Sequence, residues 1–125
     1  MAGTGPFAVI MEDDHDASEV FDNALGAAGF VTERITSGDV ALERLAVAVP
    51  DLVILDLRLP NVPGTDVLCH IRTDPLLAHT RVVVTTAFPE VLHQCEAEAD
   101  LVLVKPISYN QFRRAVMGLH FPRYG

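Results

Sequence analysis

Leu52-Val53-Ile54-Leu55-Asp56 is four aliphatic side chains in a row, closed by a carboxylate. Successive residues of a strand point to opposite faces, so a run with no polar position reads as a strand buried on both sides. The same signature recurs on either side of it. Phe7-Ala8-Val9-Ile10-Met11 runs into Glu12-Asp13-Asp14, Val82-Val83-Val84 runs into Thr85-Thr86, and Leu101-Val102-Leu103-Val104 runs into Lys105-Pro106. Phe30–Ile35 alternates with polar residues and reads as a weaker strand at a sheet edge.

Between these runs the apolar period becomes helical. Ala17, Val20, Phe21, Ala24, Leu25 and Ala28 form one stripe, and Gly29 is a natural stop. Ser37 is placed to cap a second helix that buries Leu42, Leu45, Ala46 and Val49 and ends at Pro50. Pro60, Pro63 and Gly64 mark a loop. Thr65 then caps a third helix carrying Val67, Leu68 and Ile71, which stops near Pro75. A short helical stretch falls around Glu90–Glu98. Ser108 starts the last helix, with Gln111 spaced for a capping box and Phe112, Ala115, Val116 and Leu119 as its stripe. Five strand-then-helix units predict an α/β fold, a doubly wound parallel sheet covered on both faces. There is no internal repeat or linker. The 125 residues are expected to form a single domain, 1–125, with a core over about 7–119 and short flexible ends.

Composition narrows the function. Half the residues are hydrophobic, which excludes disorder as the main state. Seventeen acidic residues against nine basic ones give a net charge of −8. That argues against direct nucleic-acid binding and against docking to anionic membranes. The longest strictly apolar runs have five residues, too few for a membrane span or a signal-peptide core, so a cytoplasmic location is expected. Cys69 and Cys95 sit in no metal or disulfide pattern and read as partly buried, reduced thiols. The five histidines show no ligand spacing and read as surface residues, with His15 close enough in sequence to approach the acids.

In a doubly wound sheet the working site lies at the carboxyl ends of the strands. Those ends carry Glu12, Asp13 and Asp14, then Asp56, Thr85 and Thr86, and Lys105. Converging carboxylates repel one another, and a hard divalent cation with oxygen ligands, such as Mg2+, relieves that repulsion. An aspartate beside such a cation is a usable nucleophile toward phosphorus, and phosphoryl transfer needs mainly positioning and charge neutralisation. The chemistry implied is an aspartyl phosphate on Asp56.

With those residues in place, the chain resembles a receiver domain of two-component response regulators. Four marks carry the likeness, from about residue 7 to about residue 119: Glu12-Asp13-Asp14 after a strand; Leu55-Asp56-Leu57-Arg58-Leu59-Pro60 with Gly64 beyond; Thr86-Ala87; and Lys105-Pro106. The resemblance implies the flavodoxin-like (βα)5 receiver fold, with strand order 2-1-3-4-5. It makes Asp56 the phosphoacceptor, receiving its phosphoryl group from a histidine kinase or a histidine phosphotransfer protein. The cofactor would be Mg2+ or Mn2+, held by Asp13, Glu12, Asp56 and the backbone carbonyl of Arg58. Thr86, with Ala87 beside it, would bind the phosphoryl group and move with it. Lys105 would pair with the phosphoryl oxygens, and the Lys105–Pro106 peptide would be cis. Such a protein is a signalling switch that catalyses its own phosphorylation and dephosphorylation, not a metabolic enzyme. Its output partner is not specified by the sequence, and a homodimer is compatible with it.

Local roles compete with these. Asp16 and Asp14 also suit the start of a helix, where carboxylates favour the dipole. Only one of Thr85 and Thr86 can face the cleft, and Thr85 reads as the one pointing away. Lys105 is the sole lysine, against eight arginines. The family often has an aromatic residue three positions before the lysine; here it is Val102. Asp56 to Thr86 is 30 residues, as expected, but Thr86 to Lys105 is 19, about one helical turn short. An irregular helix before the last strand, and an atypical output contact, are the expectation. Arg58 and Phe88 flank the phosphoryl site and are bulky enough to hinder an attacking water. The alternatives weighed are a phosphate-independent interaction module of the same fold, a haloacid-dehalogenase type phosphohydrolase, and a flavin-binding flavodoxin. The second needs another aspartate where Arg58 stands, and the third needs a phosphate loop after the first strand that is not there.

Overall fold

The computed structural model describes residues 5–88, 90 and 98–121. Five parallel strands, β1 (Phe7–Met11), β2 (Val31–Ile35), β3 (Leu52–Asp56), β4 (Arg81–Thr86) and β5 (Leu101–Val104), lie in the order β2-β1-β3-β4-β5. This is the expected doubly wound order, with β1 in the interior between β2 and β3. The helices are α1 (His15–Ala27), α2 (Gly38–Leu45), α3 (Gly64–Thr73) and α4 (Tyr109–Met117), with a 3-10 turn at Pro75–Leu77.

The alternation of side chains along each strand divides the core in two. Val9, Met11, Val53, Leu55, Val82 and Val84 pack against α2 and α3. Ala8, Ile10, Leu52, Ile54 and Val83 pack against α1 and α4, where Phe21 and Phe112 stack with ring centroids 4.5 Å apart. Both layers are apolar, as the two-faced strands require. β2 is an edge strand, as its polar residues predict, and β5 is the half-buried opposite edge.

Local signals account for most of the helix ends. Gly29 has φ +95°, and the bonds Gly29 N–H to Gly26 O and Phe30 N–H to Leu25 O close a Schellman turn after α1. The Ser108 hydroxyl accepts from the Gln111 N–H and caps α4. Several expectations need correction. Thr65 does not cap α3: the N-cap is Pro63, two residues earlier, and the helix begins at Gly64. The cause lies elsewhere in the chain, because Gly64 packs against the backbone of Asp56 and Leu57 and donates to Leu57 O at 3.0 Å. Ser37 stands at the N-cap of α2 but makes no side-chain cap bond. That helix ends at Leu45, well before Pro50, so Ala46 and Val49 are exposed rather than buried. Ala28, past the end of α1, is exposed for the same reason. Cys69 is exposed, not partly buried, and Cys95 lies outside the described residues. So does most of the helical stretch expected around Glu90–Glu98, and with it the shortened connection inferred there.

Two long-range links hold the site's supports. The first turn of α2 grips the loop after β3: Gly38 N–H donates to Pro60 O, and the Asn61 amide donates to Asp39 Oδ1 at 3.0 Å. Arg72 at the end of α3 donates to Thr80 O and to Asp100 Oδ2, while Asp100 also accepts from the Val82 N–H and from Arg81. A single carboxylate thus ties α3, β4 and the approach to β5.

Candidate functional site

The parity that sorts the core also sorts the site. Counting in steps of two from Ile10, Ile54, Val83 and Leu103, the residues Glu12, Asp56, Thr85 and Lys105 all fall on the α1–α4 face at the carboxyl rim. The backbone keeps that phase past the formal strand ends. Glu12 N–H donates to Ile35 O, and Lys105 N–H donates to Thr86 O.

At this rim Lys105 Nζ lies 2.7 Å from Glu12 Oε1 and 3.2 Å from Asp56 Oδ2. The other oxygens are used too. Asp56 Oδ1 accepts from the Arg58 N–H at 2.9 Å, and Glu12 Oε2 accepts from the Asp14 N–H at 3.2 Å. Glu12 and Asp56 are buried, and Asp13 is exposed at the cleft mouth. Burial, and then the neighbouring Asp56, push the Glu12 carboxyl up to about 7, against the pull of Lys105. Burial alone would lower Lys105. The bond to Glu12 and the charges of Asp56 and Glu12 outweigh it, and its pKa is raised overall.

Carboxylate oxygens of Glu12, Asp13 and Asp56 lie within 4.8 Å of one another. Three carboxylates against one ammonium leave an excess of two negative charges when all are ionised. An all-oxygen donor set with that excess suits a hard divalent cation, which would offset both the burial and the mutual repulsion of these carboxylates.

The remaining sequence candidates are placed as follows. The Lys105–Pro106 peptide is cis. Thr86 is buried, but its hydroxyl accepts from the Phe88 N–H at 3.0 Å and has no bond to Asp56. Thr85, expected to point away from the cleft, instead shares the face of Asp56, with which it is paired in the β3–β4 register. Ala87 is exposed at the rim. The Arg58 guanidinium lies 4.0 Å over the Phe88 ring, so the two bulky flanking residues form one stacked pair. Val102 packs into the core on the α2–α3 face. His15 does not approach the acids, since its ring is engaged by Arg34 and lies 3.7 Å from Glu19.

One feature of the site went unread in the sequence. A groove of about 460 Å³ opens beside Lys105, walled by Ala17, Val20 and Phe21 of α1 and by Pro106 and Ile107. Its sequence signal is the breadth of the α1 stripe, in which Ala17 and Val20 are left half-exposed at the site end.

Comparison with known proteins gives a consistent picture. The family model of the response regulator receiver domain matches residues 8–117. The polar-differentiation response regulator DivK of Brucella ovis is 34% identical over 109 residues, covering 83% of this chain and 87% of that protein. A protein of Haloferax volcanii is 36% identical over 108 residues, but the chain spans 18% of its length. Among solved structures, a CheY-like receiver domain from Methylobacillus flagellatus has a TM-score of 0.80 at 28% identity, covering 94% of this chain and 100% of that one. The receiver domain of the sensor histidine kinase PA1611 of Pseudomonas aeruginosa was solved with magnesium coordinated in its active site cleft. It shares the fold at a TM-score of 0.79 and 20% identity, covering 91% of this chain and 96% of that one.

Proposed function

Since this chain belongs to the response regulator receiver family of two-component signalling, we propose that Asp56 is its phosphoacceptor and that the 125 residues act as one receiver domain. The observation that carries this reading is the buried Asp56 carboxylate at the rim of β3, 3.2 Å from the Lys105 ammonium and beside Glu12. A loop-capping aspartate would need none of that company. The phosphate-independent alternative is not favoured, because an interaction module has no use for a buried charge cluster that costs stability.

In this reading an Asp56 carboxylate oxygen attacks the phosphorus of a phosphohistidine. The O–P bond forms, the N–P bond breaks, and the electron pair stays on the imidazole of the donor. The donor would be a histidine kinase or a phosphotransfer protein, and the apolar groove beside Lys105 offers it a surface next to the acceptor. Lys105 neutralises charge on the phosphoryl oxygens. Glu12, Asp13 and Asp56, with the Arg58 carbonyl, would hold Mg2+ or Mn2+, which when bound supplies charge neutralisation at the carboxylates and the phosphoryl oxygens. The Thr86 hydroxyl, which accepts from the Phe88 N–H, would donate its own hydrogen to a phosphoryl oxygen, with Ala87 beside it. Val102 puts no aromatic ring in that path, so the rearrangement runs through Thr86 and the backbone at Phe88.

Incubation with acetyl phosphate, followed by intact mass, tests this directly. Wild type should gain one phosphoryl group only when Mg2+ is present, and Asp56→Asn should gain none. A wild type that gains nothing would return the phosphate-independent module to first place. The Arg58–Phe88 stack makes a second prediction. In this reading the pair hinders water at the acceptor, so replacing both by serine should shorten the phosphoryl lifetime, read as mass against time after donor removal. An unchanged lifetime would show that the stack does not obstruct water.

A further inference from the structure

Thr85 is 0% exposed, and its hydroxyl has no hydrogen-bond partner among the described residues. Buried hydroxyls are nearly always paired, because an unpaired one forfeits the bonds it had in water. Three valines precede it in β4, and a fourth would fill the same space without that loss. Its position is specific. Thr85 is paired with Asp56 in the β3–β4 register and shares its face of the sheet. Lys105 begins on the far side of β4 and ends beside Asp56 on β3, so its side chain crosses the strand that carries Thr85. Thr85 therefore stands on the strand that the Lys105 side chain passes over to reach Asp56.

Both oxygens of Asp56 are occupied in this state, Oδ1 by the Arg58 N–H and Oδ2 by Lys105. Phosphorylation changes that assignment. One oxygen becomes the bridge to phosphorus, and the three phosphoryl oxygens compete for Lys105. Lys105, drawn to the phosphoryl oxygens, leaves its place beside Asp56 Oδ2, and that oxygen is then open to another donor. Thr86 starts from the opposite face and is assigned to a phosphoryl oxygen in the reading above, which leaves the carboxyl oxygen to Thr85.

We propose that Thr85 is a positioning residue held in reserve: its hydroxyl donates to the Asp56 side chain in the phosphorylated state and keeps the acyl phosphate aligned with Lys105. The inference rests on Asp56 being the acceptor. Thr85 takes part in no covalent step. Its effect is to leave the resting protein with an unmet hydrogen bond that the phosphorylated protein satisfies, which tilts the balance toward phosphorylation.

Two variants and two readouts test this. In EDTA, without a phosphodonor, Thr85→Val should melt a few degrees above wild type, because it loses an unpaired hydroxyl and keeps the volume. In Mg2+, titration with beryllofluoride, which mimics a phosphoryl group on a carboxylate, should give an apparent affinity about tenfold weaker for Thr85→Val. Thr85→Ser should recover most of it. A Thr85→Val protein that binds beryllofluoride as tightly as wild type overturns the proposal, as does one that melts below wild type. A serine variant that binds no better than valine overturns it too. A wild type that takes neither beryllofluoride nor a phosphoryl group overturns the acceptor reading and this inference with it.

Discussion

Phe112→Ala is expected to lower the free energy of unfolding by about 3–5 kcal/mol. The ring is fully buried, stacks on Phe21 at 4.5 Å, and is the largest group by which α4 holds the sheet. Truncation loses the transfer energy of the ring, leaves a cavity, and removes an aromatic pair that contributes about 0.5–1.5 kcal/mol of its own. Domains of this kind have about 5–15 kcal/mol in total, so the variant should be marginal at room temperature. Urea unfolding followed by circular dichroism reads the effect as a fall in midpoint at unchanged slope. Phe112→Leu should lose far less. A loss under about 1 kcal/mol in the alanine variant would mean that α4 packs by some other contact. The consequence reaches the site, because α4 follows within a few residues of Lys105-Pro106 and anchors that turn.

Gly64→Ala should destabilise by about 3 kcal/mol and impair the acceptor at the same time. A methyl group at Gly64 would lie 2.3 Å from the carbonyl oxygen of Asp56 and 2.6 Å from the Leu57 Cα. Both neighbours are backbone, and neither can rotate aside. Either α3 lifts away or the turn bearing Asp56 and Arg58 moves, and the second displaces the N–H that orients Asp56 Oδ1. The paired readouts are urea unfolding and phosphoryl uptake from acetyl phosphate. Wild-type behaviour in both would show that α3 can retreat freely. The exposed Gly26, with nothing within 4 Å of an added methyl, is the control, and Gly26→Ala should be neutral or stabilising.

These residues also show where sequence reading reaches and where it stops. The strands were legible because a run apolar on both faces has few other uses, and the acids, Asp56 and Lys105 stand at the ends of such runs. Contacts between distant segments were not legible. Gly64, not Thr65, opens α3 because of the backbone of Asp56, which no local cap rule contains. Alternation told that Thr85 and Thr86 face opposite ways. The register of β4 on β3 was needed to show that Thr85 shares the face of Asp56. Asp100 reads as an isolated acid, yet it binds Arg72, 28 residues earlier. The end of α2 was misplaced because Ala46 and Val49 continue its apolar spacing after the helix has already turned off.

The position of β1 inside the sheet has a consequence for the growing chain on the ribosome. Of the five strands of this sheet β1 is made before the rest; it has β2 available early on one side, but its other side waits for Leu52–Asp56. During that interval it presents an unpaired apolar edge of the kind that recruits other strands. The charge cluster has a longer wait. Glu12 and Asp56 are both synthesised well before Lys105, so the nascent protein carries these two buried acids without the ammonium that pairs with them until translation has passed residue 105.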